Sequence, residues 1–322
     1  MMYSFTRRVA LGMALAVGVA GAALAEFPDR QVTLVIPFAA GGSTDVVGRI
    51  VADKMGENLG QQIIVQNVGG AGGSLGAGQV AQADPDGYTI LMGTVATHAL
   101  NPLILKQKPY DPVEDFAPIS LLVLVPNVLA VNPELPVNTV QELIDLAKSD
   151  PSLAYASSGN GTPLHLSGAL FNSMAGTEIT HIPYKGSGPA LTDVLGNQVP
   201  VIFDNLPSAS GHIQSGQLRA LGVTTAERAP SFPDVPAIAE TLPGYETYTW
   251  NALFAPAGTP PEVVARLNEA AVAAMQDPAV IERMAEFSAQ IVGSTPEELA
   301  EHVSAEMAKW EPVVTEANVS LD

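Results

Sequence analysis

Hydrophobic positions in this chain alternate between short unbroken runs and stretches at helical spacing, with Gly/Ser/Thr turns between them. Val32-Thr33-Leu34-Val35-Ile36 reads as a strand. Beyond Gly41-Gly42-Ser43-Thr44-Asp45, residues Val46, Val47, Ile50, Val51 and Met55 recur at helical spacing, and Gly56 and Gly60 mark where that helix ends. Ile63-Ile64-Val65 predicts a second strand, followed by a glycine-rich loop to Ser74 and a small-residue helix to about Ala83. Asp84-Pro85-Asp86-Gly87 is a turn before a third strand, Tyr88 to Thr94.

The pattern changes over Phe116–Val131, a β-rich run too long for an ordinary strand and therefore expected to cross between two domains. A helix from Val140 to Lys148 leads to a second series. There Tyr155-Ala156-Ser157-Ser158-Gly159-Asn160-Gly161-Thr162-Pro163 predicts strand, turn and helix, with Thr162 as cap and Pro163 at the first helical position. Ile179 to Pro189 repeats the unit, with its helix running through Ala190, Leu191, Val194 and Leu195. Strands follow at Val199 to Phe203 and Leu218 to Val223, the chain returns near Trp250 to Pro256, and two helices close it, about Pro261 to Gln276 and Pro296 to Thr315. Repeated strand-turn-helix units predict an α/β fold with a mainly parallel, doubly wound sheet.

The first 25 residues stand apart. Arg7 and Arg8 precede an apolar run, Val9 to Ala20, and Ala23-Leu24-Ala25 is a small-x-small cleavage site, so residues 1–25 read as a secretory signal peptide. About 297 residues then remain of 322, enough for two domains. The whole chain carries 14 Lys+Arg against 33 Asp+Glu; the signal holds two arginines and no acid, so its loss takes the formal charge from −19 to −21. That sign argues against nucleic acid and anionic lipid as partners. Cysteine is absent, which excludes disulfides, thiolate metal sites and cysteine nucleophiles.

The turns carry the chemistry. A strand-to-helix turn presents N–H groups that have no acceptor in the helix, and several such turns at strand C-terminal ends would point free donors into one crevice. Ser43, Thr44, Ser157, Ser158 and Thr162 add hydroxyls, and Lys185 is the one cation among these turns, so an anion would be held mainly by dipoles and neutral donors. Asp45 is read either as stabilising the first turn of its helix or as accepting from a ligand. His165 is either structural or a ligand contact, and Asp204 either a hinge-side hydrogen-bonding group or a contact. Phe38 follows Pro37 at a strand end and is assigned to the cleft wall.

Enzyme signatures are weak. Gly72-Gly73-Ser74-Leu75-Gly76 matches G-x-S-x-G literally, with His165, His181 or Asp204 as conceivable partners, but a long loop separates it from its strand. Gly76 to Ala81 fits the degenerate dinucleotide pattern inside a helix, where phosphate cannot reach the turn. There is no P-loop, no H-E-x-x-H and no histidine pair at ligand spacing, so neither metal nor cofactor is expected. Asn160-Gly161-Thr162 is formally a glycosylation sequon and is read as a turn.

The ordered set of Pro37 to Asp45, the Gly69 to Gly73 loop, Gly87 to Thr94, Ser157 to Thr162, Ile182-Pro183-Tyr184-Lys185-Gly186 and Phe203-Asp204-Asn205 resembles the substrate-binding proteins of the tripartite tricarboxylate transporters, the Bug or TctC family. The resemblance covers about Phe27 to Trp310. It implies a type II periplasmic-binding-protein architecture, a Venus flytrap of two α/β domains hinged by crossing strands: residues 26–125 with 251–322, and residues 126–250. It implies a ligand carboxylate gripped by Phe38, Ala39, Gly42, Ser43, Thr44 and Asp45 from one domain and by Ser157, Ser158, Gly161 and Thr162 from the other, with Thr94 and Asp204 nearby; His165 joins the candidate contacts on the reading of the residues alone. The ligand would be a di- or tricarboxylate, an acidic amino acid or an aromatic acid. The partner would be a membrane permease with large and small subunits, the location the periplasm, and the receptor a monomer without enzymatic activity. A periplasmic module that presents its closed form to a signalling protein remains an alternative, and a secreted serine hydrolase using Ser74 a remote one.

Overall fold

A computed structural model describes residues 27–316. The predicted signal peptide, residues 1–25, lies outside the described residues. The chain runs β1 (Val32–Ile36), α1 (Ser43–Leu59), β2 (Ile63–Asn67), α2 (Ser74–Ala81), β3 (Thr89–Thr94), α3 (Asn101–Ile104), β4 (Phe116–Val131), α4 (Val140–Ser149), β5 (Ala154–Ser157) and α5 (Pro163–Ala175). It continues through β6 (Thr180–Pro183), α6 (Ser187–Leu195), β7 (Val201–Asn205), α7 (Leu206–Gln214), β8 (Arg219–Val223), β9 (Tyr248–Pro256), α8 (Pro261–Met275), α9 (Pro278–Glu286), β10 (Gln290–Ile291) and α10 (Pro296–Glu316).

The strands join in the order β2-β1-β3-β9-β4-β7-β5-β6, with β10 and β8 also on β4. β4 serves both halves of this arrangement. Phe116 to Pro126 pairs antiparallel with β9, and from Asn127 onward the same strand pairs antiparallel with β7 and β8. The sheet is therefore mixed, which corrects the expectation of a mainly parallel one. Parallel pairs, β1 with β2 and β3 and β5 with β6 and β7, sit on the flanks where helices make the crossovers. The centre is antiparallel because β4 and β9 run between the halves in opposite senses, with no crossover helix of their own.

Each half has its own core. In the first, Val32, Leu34 and Ile36 of β1 pack with Val47, Val51 and Met55 of α1 and Leu267 and Ala271 of α8. In the second, Leu129 and Val131 of β4 pack with Tyr155, Phe171, Phe203 and Tyr245. The run in β1 lacks polar alternation because helices cover both faces of its sheet. α1 continues through Gly56 and stops at Gly60, whose left-handed backbone (φ 73) lets its N–H bond the carbonyls of Glu57 and Gly56. Three helices follow β9 where two were expected. The additional one, α9, starts after Asp277, whose side chain accepts from the Ala279 N–H, with Pro278 at its first position.

Candidate functional site

Four helices begin at one place between the halves. The capping residues are Gly42 for α1, Thr162 for α5, Gly186 for α6 and Asn205 for α7. Of these only Thr162 caps with its side chain, accepting from the His165 N–H at 3.3 Å; in α1, α6 and α7 no side chain takes that position. The positive ends of four helix dipoles thus converge, the arrangement that attracts an anion.

They enclose a narrow cavity of about 20 Å³, little more than one water molecule needs. Phe38, Gly42, Ser43, Thr44 and Thr94 line it from the first half, Ser158, Thr162, Pro163, Leu164, Ser187 and Asn205 from the second, and Thr249 from β9. No charged side chain is among them. Ser43 Oγ and Thr94 Oγ1 are buried here without a hydrogen-bond partner among the described residues. A buried hydroxyl left unpaired is unfavourable by about 1–3 kcal/mol, so two in one cavity need a reason.

Seven of the residues named from the sequence therefore reach the cavity: Phe38, Gly42, Ser43, Thr44, Thr94, Ser158 and Thr162. Ala39, Asp45, Ser157, Gly161, His165 and Asp204 do not line it. The Asp45 carboxylate accepts from the Gly41 N–H at 3.0 Å, Arg49 Nε at 3.0 Å and Asn67 Nδ2 at 2.9 Å, so it braces the turn before α1. Burial pushes its pKa up, but these bonds, led by Arg49, hold it below the ordinary value. Asp204 is wholly buried and accepts from Ser187 Oγ and from Ser208 Oγ, the latter at 2.8 Å. Burial raises its pKa to about 6 despite those two hydroxyls. Its bond commits the Ser187 proton, so the hydroxyl of Ser187 cannot also donate into the cavity.

The 157–162 turn is held from behind by two histidines. Ser157 Oγ lies 2.6 Å from His181 Nε2, and the Gly161 N–H donates to His165 Nδ1 at 3.2 Å. The imidazoles stack at 4.1 Å. Burial lowers both pKa values, that of His181 to about 3 with a further contribution from His165, so both rings stay neutral and uncharged beside the site.

Sequence reasoning missed Pro163, Leu164, Ser187, Asn205 and Thr249 as lining residues. Ser187 and Asn205 had a signal: each stands at a strand-to-helix turn, the position already recognised for Ser43. Thr249 had none, lying in a strand, β9, that no turn or motif set apart. Ser74 lies buried at the start of α2 and accepts from Asn101 Nδ2 at 2.8 Å. The conceivable triad partners are bonded elsewhere: His165 to Gly161, His181 to Ser157 and Asp204 to Ser187. Among the described residues no group of three His, Asp or Glu side chains is placed to hold a metal ion.

Comparison with known proteins decides the family. Residues 47–319 match the family described as "Tripartite tricarboxylate transporter family receptor". The chain belongs to that receptor family. The receptor is 38% identical over 298 residues to Protein BugT of Bordetella pertussis, covering 92% of this chain and 91% of BugT. Among solved structures it resembles an R. palustris protein with adipate, at TM-score 0.88 and 41% identity over 92% of this chain and 99% of that one. It also resembles MatC from Rhodopseudomonas palustris with bound malate, at TM-score 0.85 and 36% identity over 89% of this chain and all of the other (100%). The α/β architecture of the receptor is accordingly that of the periplasmic binding proteins of this family.

Proposed function

We propose that this receptor is exported to the periplasm, captures a small carboxylate between its halves and delivers it to a membrane permease of large and small subunits. The observation that carries the reading is the cation-free cavity where four helix N-termini meet two buried, unpartnered hydroxyls. A carboxylate there accepts from Ser43 Oγ, Thr94 Oγ1 and first-turn N–H groups, which explains anion binding by a chain of formal charge −19. Adipate and malate in two similar structures are acids of the required kind.

Phe38, Gly42, Thr44, Ser158 and Thr162 form the walls of this site, while Asp45, Ser157, Gly161, His165 and Asp204 shape it from behind. The moving bodies are residues 26–125 with 251–322, and residues 126–250, turning about the crossing of β4 and β9. Binding works by closure of the two halves over the ligand.

The test is a thermal-shift screen of unfolded-and-refolded protein against mono-, di- and tricarboxylates, aromatic acids and amino acids. Ligand at about a hundredfold over its Kd adds roughly 2.7 kcal/mol, a rise of roughly 5 °C for a chain of this size. A rise confined to carboxylates supports the reading. No rise from any acid, in protein with a native far-UV spectrum, overturns it.

A further inference from the structure

The halves meet backbone to backbone along a seam beside the cavity. A Cβ built on Gly72 would stand 2.5 Å from the Asn160 carbonyl oxygen, and one on Gly186 2.8 Å from the Ala39 nitrogen. Both glycines have positive φ, 61° and 140°, so their own backbone already accounts for them. Gly188 is different. It is the second residue of α6 and its φ is not positive, so the helix would accept alanine there and favour it. Yet a Cβ on Gly188 would stand 2.2 Å from the Ala40 carbonyl oxygen, and the next nearest atoms, at 3.4 and 3.7 Å, belong to Ala40 and Gly41. All three lie in the opposite half.

We infer that Gly188 sets how far the cleft can close: its missing side chain is required by the other half and by nothing in its own. This rests on the receptor reading for its link to affinity, but not for the closure itself. An alanine at this position pushes the start of α6 away from the Ala39-Ala40-Gly41 turn. Ser187, one residue before it, is then withdrawn from the cavity wall it forms with Gly42 and Ser43.

The chain has no cysteine, so closure can be trapped cleanly. A Cβ on Gly42 lies 3.4 Å from that of Ser187, close to the spacing a disulfide spans, and Gly42 has φ −84, which cysteine adopts freely. The pair Gly42→Cys/Ser187→Cys is oxidised with oxidised glutathione in three backgrounds: otherwise natural, Gly188→Ala, and Gly211→Ala as control. Gly211 is also a helical glycine, with nothing within 4 Å of its Cβ. The expected result is disulfide formation in the first and third backgrounds and at least about tenfold slower formation with Gly188→Ala, whose reduced form keeps or raises its Tm. Equal rates overturn the inference, as does a lowered Tm or failure to oxidise in every background. Titration of the cysteine-free proteins with adipate and malate separates the two readings. Binding weakened at least about tenfold by Gly188→Ala alone supports both, and equal affinity in all three proteins overturns the link from closure to affinity. A disulfide blocked by Gly188→Ala with no acid bound by any protein upholds the closure role and removes the carboxylate reading.

Discussion

The Ala39 amide donates to the Lys185 carbonyl at 3.1 Å and so ties the turn after β1 to the turn before α6. A second tie lies away from the cavity, where the Ser231 N–H donates to Ser288 Oγ at 2.8 Å and the two hydroxyls stand 2.6 Å apart. With Leu166 of α5 buried in a core of the first half, these bonds describe a closed arrangement. The first is backbone to backbone, so side-chain substitutions act on it only by displacing the turns that carry it.

Gly42→Leu is expected to abolish ligand binding while leaving the far-UV spectrum unchanged. A Cβ there already touches Ser187 at 3.4 Å, and the rest of a leucine would occupy the cavity. Isothermal titration with adipate and malate, beside a circular dichroism spectrum, checks it; retained affinity would remove Gly42 from the site.

Ser43→Ala and Thr94→Val should separate stability from affinity. Each removes a buried hydroxyl with no partner, so the ligand-free protein holds or gains stability, while affinity falls by about 1–2 kcal/mol per hydroxyl. Urea unfolding without ligand and titration with it give the two numbers. A loss of stability without loss of affinity would mean the hydroxyls serve the fold.

Asp204 makes stability depend on pH in an unusual direction for a carboxylate. Its folded pKa, about 6, lies above the ordinary 3.8, so the folded state holds the proton more tightly. The contribution is full below pH 4 and lost as pH rises through 6, amounting to about 3 kcal/mol for roughly two pKa units. Relative to Asp204→Asn, the natural chain should therefore lose stability between pH 4 and pH 8. Denaturant unfolding at both pH values measures the gap, and a constant gap refutes the assignment.

Thr162→Ala should cost about 1 kcal/mol of stability, because Thr162 caps α5 through the His165 N–H and donates to the Gly159 carbonyl at 2.7 Å. Thr162→Ser keeps both bonds and should restore stability and binding. Failure of serine to restore binding would assign the role to the threonine methyl group.

Much of this was legible from the residues. Thr162-Pro163 marked the start of α5, and the 16 residues of β4 announced a strand too long to be an ordinary one, running from one half to the other. The antiparallel centre was not legible, since local patterns specify strands and helices but not the sense in which β4 and β9 meet. At the cavity, Ser43 and Thr94 were legible as candidates because one opens the helix after β1 and the other ends β3. For Asp45 and His165 the residues left two readings open, because only tertiary contact shows what a polar side chain faces: Arg49 and Asn67 for one, the Gly161 amide for the other.

The absence of any charged group on the cavity wall divides recognition from arrival. Inside, dipoles and hydroxyls act at contact range, where dissolved ions screen little. Outside, an approaching acid meets a strongly negative surface. Added salt should then quicken capture and leave release nearly untouched, the reverse of the kinetics of a receptor that draws anions in with lysine and arginine.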